Sequence, residues 1–449
     1  MIASLPGKRP VRVVVISIDG VPYSFVKNRM AAGEFPNFRR LLSRGALHRM
    51  NSVQPCVSSV AWASYMTGKN PGKHNIFGFV DKKPGTFETF VPTSVNLKSE
   101  TIWETMSRAG KRVFVMNVPV TFPPRQVNGA LIGCFLSTRL EKATYPAGIA
   151  RDLKNMGYRL DASAAIAREN LAQFIEECQH VLVKRAEAMF HYLAQEPWDF
   201  FQCHIMETDR MNHFLWEHAE QADSLYAPAF FDFYKRVDDL LGEVDKKIGD
   251  DAELIVLSDH GFCSIKKEIY LNQHLVEAGL LKFKTATPKS LDDLHPDTLA
   301  YSLIPGRLFI NLQGREPCGT VLPEDYDFVR DRVIRVLSEL KDSPDGVPIM
   351  RQVYKREDIY HGEYLPAAAD LLAVPNKGYD LKGGFKANAA SDKSALVGMH
   401  TFDDALLYMR HRDFKPEREE IWIGDVAPTI LQMLQLPAPD DMDGISLLP

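Results

Sequence analysis

Three apolar, β-branched runs in this chain stop at acidic residues. VRVVVISIDG runs into Asp19, DFFQCHIME is soon followed by Asp209, and AELIVLSDHG ends on Asp259 and His260. Short continuous apolar runs suit strands buried on both faces, the condition of a parallel sheet covered by helices. Helical patterns lie between them. FPNFRRLLSRG has Pro near its start and Gly at its stop, and SSVAWASYMTG, KSETIWETMSRAG and a long stretch near 165–195 follow. In FFDFYKRVDDLLGEVDKKIG, Phe233, Val237, Leu240, Leu241 and Val244 fall on one side. The alternation predicts an α/β fold, with a mainly parallel central sheet flanked by helices. Ligands bind such sheets beyond the strand carboxyl ends, so acids far apart in sequence are expected to share one cleft.

The 449 residues suffice for one large α/β domain or for two or three smaller ones; a single catalytic domain spanning 1–449 is expected, with insertions within 135–200 and 262–400 supplying a cap or lid among core elements. DYDFVRDRVIRVLSEL reads as a helix, ADLLAVP as a late strand and APTILQMLQLP as a terminal helix. A formal net charge of -5 offers no cationic field, so a nucleic-acid polymer is not an expected partner. The six cysteines are scattered without a CxxC pair, which excludes a zinc ribbon and gives no disulfide framework. They read as free buried thiols in a reducing compartment. The run Val11 to Ile18 is too short to span a bilayer and passes directly into Asp19-Gly20, as a strand does and a secretory segment does not. The resulting expectation is a cytoplasmic protein with no membrane segment, and a homo-oligomer is left open.

Asp209 and His213 are four residues apart, so on a helix a carboxylate and an imidazole share one face and can chelate one cation. Asp259-His260 offers a second oxygen–nitrogen pair if a turn brings the two side chains together. Such mixed Asp/His ligation suits zinc, manganese or iron. Ser58 or Ser59 stands at the start of the VAW helix, as an N-cap or as a nucleophile beside the helix N–H groups; position alone does not separate them. Asn117, ending VFVMN, is a candidate substrate contact, with a turn-stabilising role as its alternative. Lys69, Lys73, Arg210, Arg315, Lys355 and Arg356 are candidate anion contacts or surface charges, and His74 a candidate loop tie. No GxxxxGK[ST] phosphate loop and no GxSxG elbow occurs at these positions.

At QPCVSSVAWASYMTGKNPGKHNIFGF, ETDRMNHFLW, LSDHGF and GMH the sequence resembles the alkaline phosphatase superfamily. Within it, the type I phosphodiesterase and nucleotide pyrophosphatase branch, with its predicted phosphohydrolase or phosphomutase relatives, is the most similar. The resemblance runs piecewise from VVVISIDG to DVAPTILQMLQLPAPDDMDG. It implies an alkaline phosphatase-like fold and a nucleophile nine residues before Thr67, which is Ser58. It implies one divalent metal on Asp209, His213 and His400, and a second on Asp19, Asp259, His260 and the Ser58 oxygen, with zinc first and manganese or iron next. His361, in the loop-rich YHGEY segment, rivals His400. Serine departs from the threonine common in the pyrophosphatase branch. The implied activity is hydrolysis of a small phosphodiester through a phosphoseryl intermediate. The alternatives are a phosphomonoesterase, a phosphomutase, a sulfatase-like hydrolase and a non-catalytic binder of anionic ligands. The sulfatase pattern CxPxR is missing, and Cys56 lies two places before Ser58.

Overall fold

The run Val13–Ile18 forms β1, buried along its whole length near the middle of an eight-stranded sheet. The computed structural model describes residues 11–449 apart from 196, 222, 289, 343–344, 385–389, 392–394, 415–417 and 419. The other strands are β2 (Ala46–Met50), β3 (Val113–Met116), β4 (Gly129–Ile132), β5 (Thr144–Tyr145), β6 (Phe200–Ile205), β7 (Glu253–Leu257) and β8 (Ala405–Arg410). Their spatial order is β2-β8-β7-β1-β6-β3-β4-β5. From β7 to β4 all neighbours are parallel; β8 and β2 at one edge and β5 at the other are antiparallel. The register sets Ile18 beside Ile205 and Ser17 beside Leu257, so the three strands that lead to the acids end at one level.

Alternation along β1 divides the core in two. Val13 and Val15 join one apolar cluster with α1 (Ser58–Thr67), α2 (Ile102–Arg108) and α6 (Val426–Met433). Val14, Ile16 and Ile18 join the other with α3 (Leu171–Gln195), α4 (Glu207–Glu220) and α5 (Ala227–Ile248). Thr101 and Glu104 close a capping box at the start of α2. On α5 the stripe Phe233, Val237, Leu241 and Val244 is buried, each side chain contributing about 1.5–3 kcal/mol over its exposed state. The helix expected near 165–195 is broken at Asn170. That residue is extended, and its side chain accepts from Gln173 N at 3.1 Å, starting α3 afresh.

Within 135–200, α3 packs on the sheet and is part of its flank rather than of a cap. Residues 262–400 hold a separate apolar core. Strands Ala300–Ile304, Arg307–Ile310, Leu371–Pro375 and Met350–Lys355 form an antiparallel sheet in that order, with helix Tyr326–Ser338 sharing their apolar cluster. The chain leaves the main sheet through Gly261–Ser264 and returns through Gly398–Thr401. These segments pair antiparallel with Phe262 opposite His400.

All six thiols are free, but only Cys134, Cys178 and Cys203 are buried; Cys318 is exposed. No described helix is long and apolar enough to cross a membrane.

The start of α4 is pinned from α3. Arg185 Nε lies 3.1 Å from Glu207 Oε2, and both side chains are fully buried. Burial opposes the Arg185 charge, but the adjacent Glu207 outweighs it and raises the guanidinium's pKa. Removing one partner strands a charge. Arg185→Ala is expected to cost about 3–5 kcal/mol of stability, and an apolar replacement of both partners much less. Urea unfolding of the single and double variants checks this, and equal losses would contradict it.

Candidate active site

Asp19 follows β1 at a sharp turn. Gly20 has φ 67°, and a Cβ there would lie 2.9 Å from the Phe262 ring and 3.0 Å from His260, so the turn demands glycine. The Gly20 N–H donates to Asp259 Oδ1 at 3.1 Å, tying the end of β1 to the end of β7. Thr208 in the first turn of α4 donates to the Asp19 carbonyl at 2.7 Å, bringing in the end of β6.

The two Asp19 oxygens have different surroundings. Oδ2 accepts from Trp62 Nε1 at 2.8 Å and lies 3.1 Å from His204 Nε2. Oδ1 accepts from Ser58 Oγ at 3.1 Å and lies 3.5 Å from His260 Nε2. Burial pushes the Asp19 carboxyl up, but His204 and His260 together overcome this and hold it below the usual range. Trp62 and His204 carry no motif. They sit inside an apolar helix and an apolar strand, and a polar side chain in a fully buried strand is their only sequence signal.

Ser58 is the first residue of α1, and the N-cap is Val57, at φ -138° and ψ 135°, with no side-chain cap. The N-cap role expected for Ser58 or Ser59 therefore falls to neither. Extended Val57 turns the Ser58 hydroxyl to Asp19 and to His260 Nε2, 3.2 Å away. Ser59 is buried, and its hydroxyl has no hydrogen-bond partner among the described residues. Val60 N and Ala61 N both donate to the Val57 carbonyl at 3.0 Å, and by helix geometry the Ser58 and Ser59 amides before them lack intrahelical acceptors.

Asp209 and His213 lie one turn apart on α4, with Oδ1 and Nε2 3.4 Å apart. His400 reaches them from the returning strand. Its Nε2 is 3.2 Å from Asp209 Oδ1 and 3.0 Å from His213 Nε2. His361 is elsewhere, its Nε2 2.9 Å from Asp443. Burial would raise Asp209, but His213, His400 and Arg210 pull it down.

The imidazole tautomers are set from outside the cluster. Nδ1 of His213, His260 and His400 lies 3.0, 3.1 and 2.9 Å from the carbonyl oxygens of Gly398, Gly261 and Cys56. Carbonyls only accept, so each Nδ1 keeps its proton, and a ring that is neutral presents an Nε2 lone pair inward. Burial lowers His213, and burial with His400 pushes His260 down to about 3; Asp209 overrides burial at His400 and raises it. With both rings neutral, as metal ligation requires, the His213 and His400 lone pairs 3.0 Å apart beside a buried carboxylate call for a positive charge among them, a proton or a cation. Asp259 is in the same position. Burial and the neighbouring Asp19 push it well up, and its Oδ2 has no hydrogen-bond partner among the described residues. In each of the groups Asp209/His260/His400 and Asp19/Asp259/His260, the donor atoms lie within 4.8 Å of one another. Carboxylate oxygen and imidazole nitrogen are the donors that divalent cations of the zinc–manganese–iron group accept.

The remaining candidates are engaged with other protein groups, and of them Arg210 also reaches the cluster, its Nη1 3.6 Å from Asp209 Oδ2. Asn117 is buried at φ 63°. Its Nδ2 donates to the Gly133 and Leu160 carbonyls at 3.5 and 3.4 Å, and Tyr158 donates to its Oδ1. These bonds engage the amide in holding a left-handed turn, the alternative role read from sequence. Lys69 and Lys73 pair with Asp441 and Asp443, Arg210 with Asp161, Arg315 and Arg356 with Asp370, and Lys355 with Asp331. His74 is buried against Ser64 Oγ at 3.0 Å and accepts from Ile76 N, tying down its loop. Burial holds the Cys56 thiol far above its usual pKa, in its protonated form.

The sequence profile of the type I phosphodiesterase / nucleotide pyrophosphatase family matches residues 13–403. The chain belongs to this family. The family is one of divalent-metal-dependent hydrolases acting on phosphate esters. Solved structures share the fold. Phosphonoacetate hydrolase from Sinorhizobium meliloti 1021, with phosphonoacetate, is 18% identical at TM-score 0.64, over 95% of this chain and 96% of that one. An inactive murine ectonucleotide pyrophosphatase / phosphodiesterase 5, in complex with AMP, is 17% identical at TM-score 0.57, over 96% of each chain. The human counterpart is 17% identical at TM-score 0.56, over 96% of this chain and 97% of that one. A sequence search of curated proteins gives no match.

Proposed function

We propose that this chain is a two-metal phosphodiesterase with Ser58 as its nucleophile. The observation that carries the reading is the position of Ser58 Oγ, 3.1 Å from Asp19 and 3.2 Å from His260 at the start of α1. Asp209, His213 and His400 would hold one cation and Asp19, Asp259, His260 and Ser58 the other, with zinc the best match to the donors and manganese or iron next. Bound there, the two ions supply positive charge to the oxygens that become negative as phosphorus changes partners, and they acidify the serine hydroxyl.

Asp19 Oδ1 and His260 Nε2 orient the Ser58 oxygen and face its proton. The oxygen forms a bond to phosphorus, the bond to the first alcohol breaks, and that alcohol leaves with a proton. Water then attacks the phosphoserine and releases the monoester with Ser58 restored. The opening amides of α1 face the non-bridging oxygens.

Charge favours a diester. A monoester dianion brings an extra negative charge that needs an extra cation, and the basic side chains read as anion contacts are already matched by Asp161, Asp370, Asp441 and Asp443. Bis(p-nitrophenyl) phosphate is expected to be cleaved with kcat/KM at least about tenfold above p-nitrophenyl phosphate, a difference of about 1.4 kcal/mol. A reversed preference would move the assignment to a monoesterase. Protein loaded with metal yet inert to both would favour a binding protein.

A further inference from the structure

A cavity of about 600 Å³ opens beside the cluster, between the loop before α1 and the separate sheet within 262–400. His213 and His400 line it, whereas Asp19, Asp259, His260 and Ser58 do not. In an in-line displacement the leaving oxygen lies opposite the attacking one. Ser58 stands on the Asp19 side, so the cavity adjoins the leaving side.

Its wall has a distinct chemistry. Val57, Pro375, Leu396, Met399 and Phe402 line it half-buried, an apolar surface with one phenyl ring among the described lining residues. A planar base is ordinarily held on both faces, and a single ring offers one. At the rim, Arg351 Nη1 and Lys377 Nζ lie 3.5 and 3.0 Å from the same carboxylate, Asp403, so two cations share one negative charge. Lys382, also on the wall, is matched by Asp380 and Glu268. The net positive charge of the wall is therefore at the Arg351–Lys377 end.

We infer that this cavity takes the leaving alcohol of the diester, and that this alcohol is an aliphatic chain ending in an anionic group that meets Arg351 and Lys377. The inference rests on the phosphodiesterase reading and adds the substrate class to it. Aliphatic length gains affinity from the apolar wall, and a terminal carboxylate or phosphate gains from the rim.

The test uses methyl phosphodiesters of ethanol, butanol, hexanol, hydroxyhexanoate and a nucleoside, with methyl phosphate release followed by phosphorus NMR. Expected is a kcat/KM that rises about two- to fourfold per added methylene. The hydroxyhexanoate ester should exceed the hexanol ester by about fivefold, and the double variant R351A/K377A should bring that ratio to about one. A general structural disturbance would lower both esters and leave their ratio in place. A flat chain-length response, a nucleoside ester better than the hexanol ester, or a ratio unmoved by the double variant overturns the inference. Turnover of bis(p-nitrophenyl) phosphate is measured alongside. If it is absent, the phosphodiesterase reading itself fails; if it is present with a flat response, only the cavity assignment fails.

Discussion

Replacing Ser58 with alanine is expected to lower kcat on bis(p-nitrophenyl) phosphate by at least about 10³-fold. The substitution removes the only atom that lies within hydrogen-bond reach of both Asp19 Oδ1 and His260 Nε2 among the described residues. It removes little packing, because Ser58 is half-buried at a helix start. The thermal midpoint should therefore stay close to that of the parent. Ser58→Thr keeps the hydroxyl and should retain much of the rate. Acid-quenched parent enzyme, analysed by mass spectrometry during turnover, should carry phosphate on Ser58. If S58A turns over within about tenfold of the parent, the neighbouring buried Ser59 or a direct attack by water becomes the better account.

Removing divalent cations with a chelator is expected to abolish turnover and to lower stability together. The cluster brings together Asp19, Asp209 and Asp259, all buried, with three inward-facing imidazole nitrogens. In the state that ligates a metal, with the carboxylates charged and the rings neutral, only Ser58 of this set can donate a proton into the cluster, so without the cation that state leaves negative charge unbalanced in a low-dielectric place. A cation that binds only the folded state stabilises it by about 2.7 kcal/mol at a hundred times its Kd. Adding zinc or manganese back should restore both activity and the thermal midpoint. Asp259→Asn should remove one of two equivalents of bound metal in elemental analysis. A chelated protein that keeps its rate and its midpoint would leave the cluster without the role proposed for it.

The legible part of this site is the part written into strand ends. Asp19, Asp209, Asp259 and His260 stand out because each follows an apolar strand, and the parallel sheet brings those ends level. His400 has no such signal in GMHTFDD. It reaches the cluster because its short strand pairs with the one after His260, a contact across more than a hundred residues that no local pattern encodes. Trp62 and His204 were illegible for the opposite reason, since inside continuous apolar runs they read as ordinary core. The helices were read well where a stripe or a cap marks them, as in α5 and α2. The antiparallel strands β2 and β8 carry no comparable signal: β2 is short and mostly half-exposed, and β8 is an apolar run that ends without an acid. The pairing of Lys69, Lys73, Arg210 and Arg315 with carboxylates depends on residues distant in sequence, so their availability to an anion was undecidable before the fold.

The two short strands Gly261–Ser264 and Gly398–Thr401 form a gate through which residues 265–397 exit and re-enter at a single point. Both posts of the gate carry a histidine of the cluster or stand next to one. The spacing of the two histidines is thus fastened at the doorway. A lineage could lengthen, trim or exchange the excursion and change what the enzyme accepts, while the reacting groups keep their places.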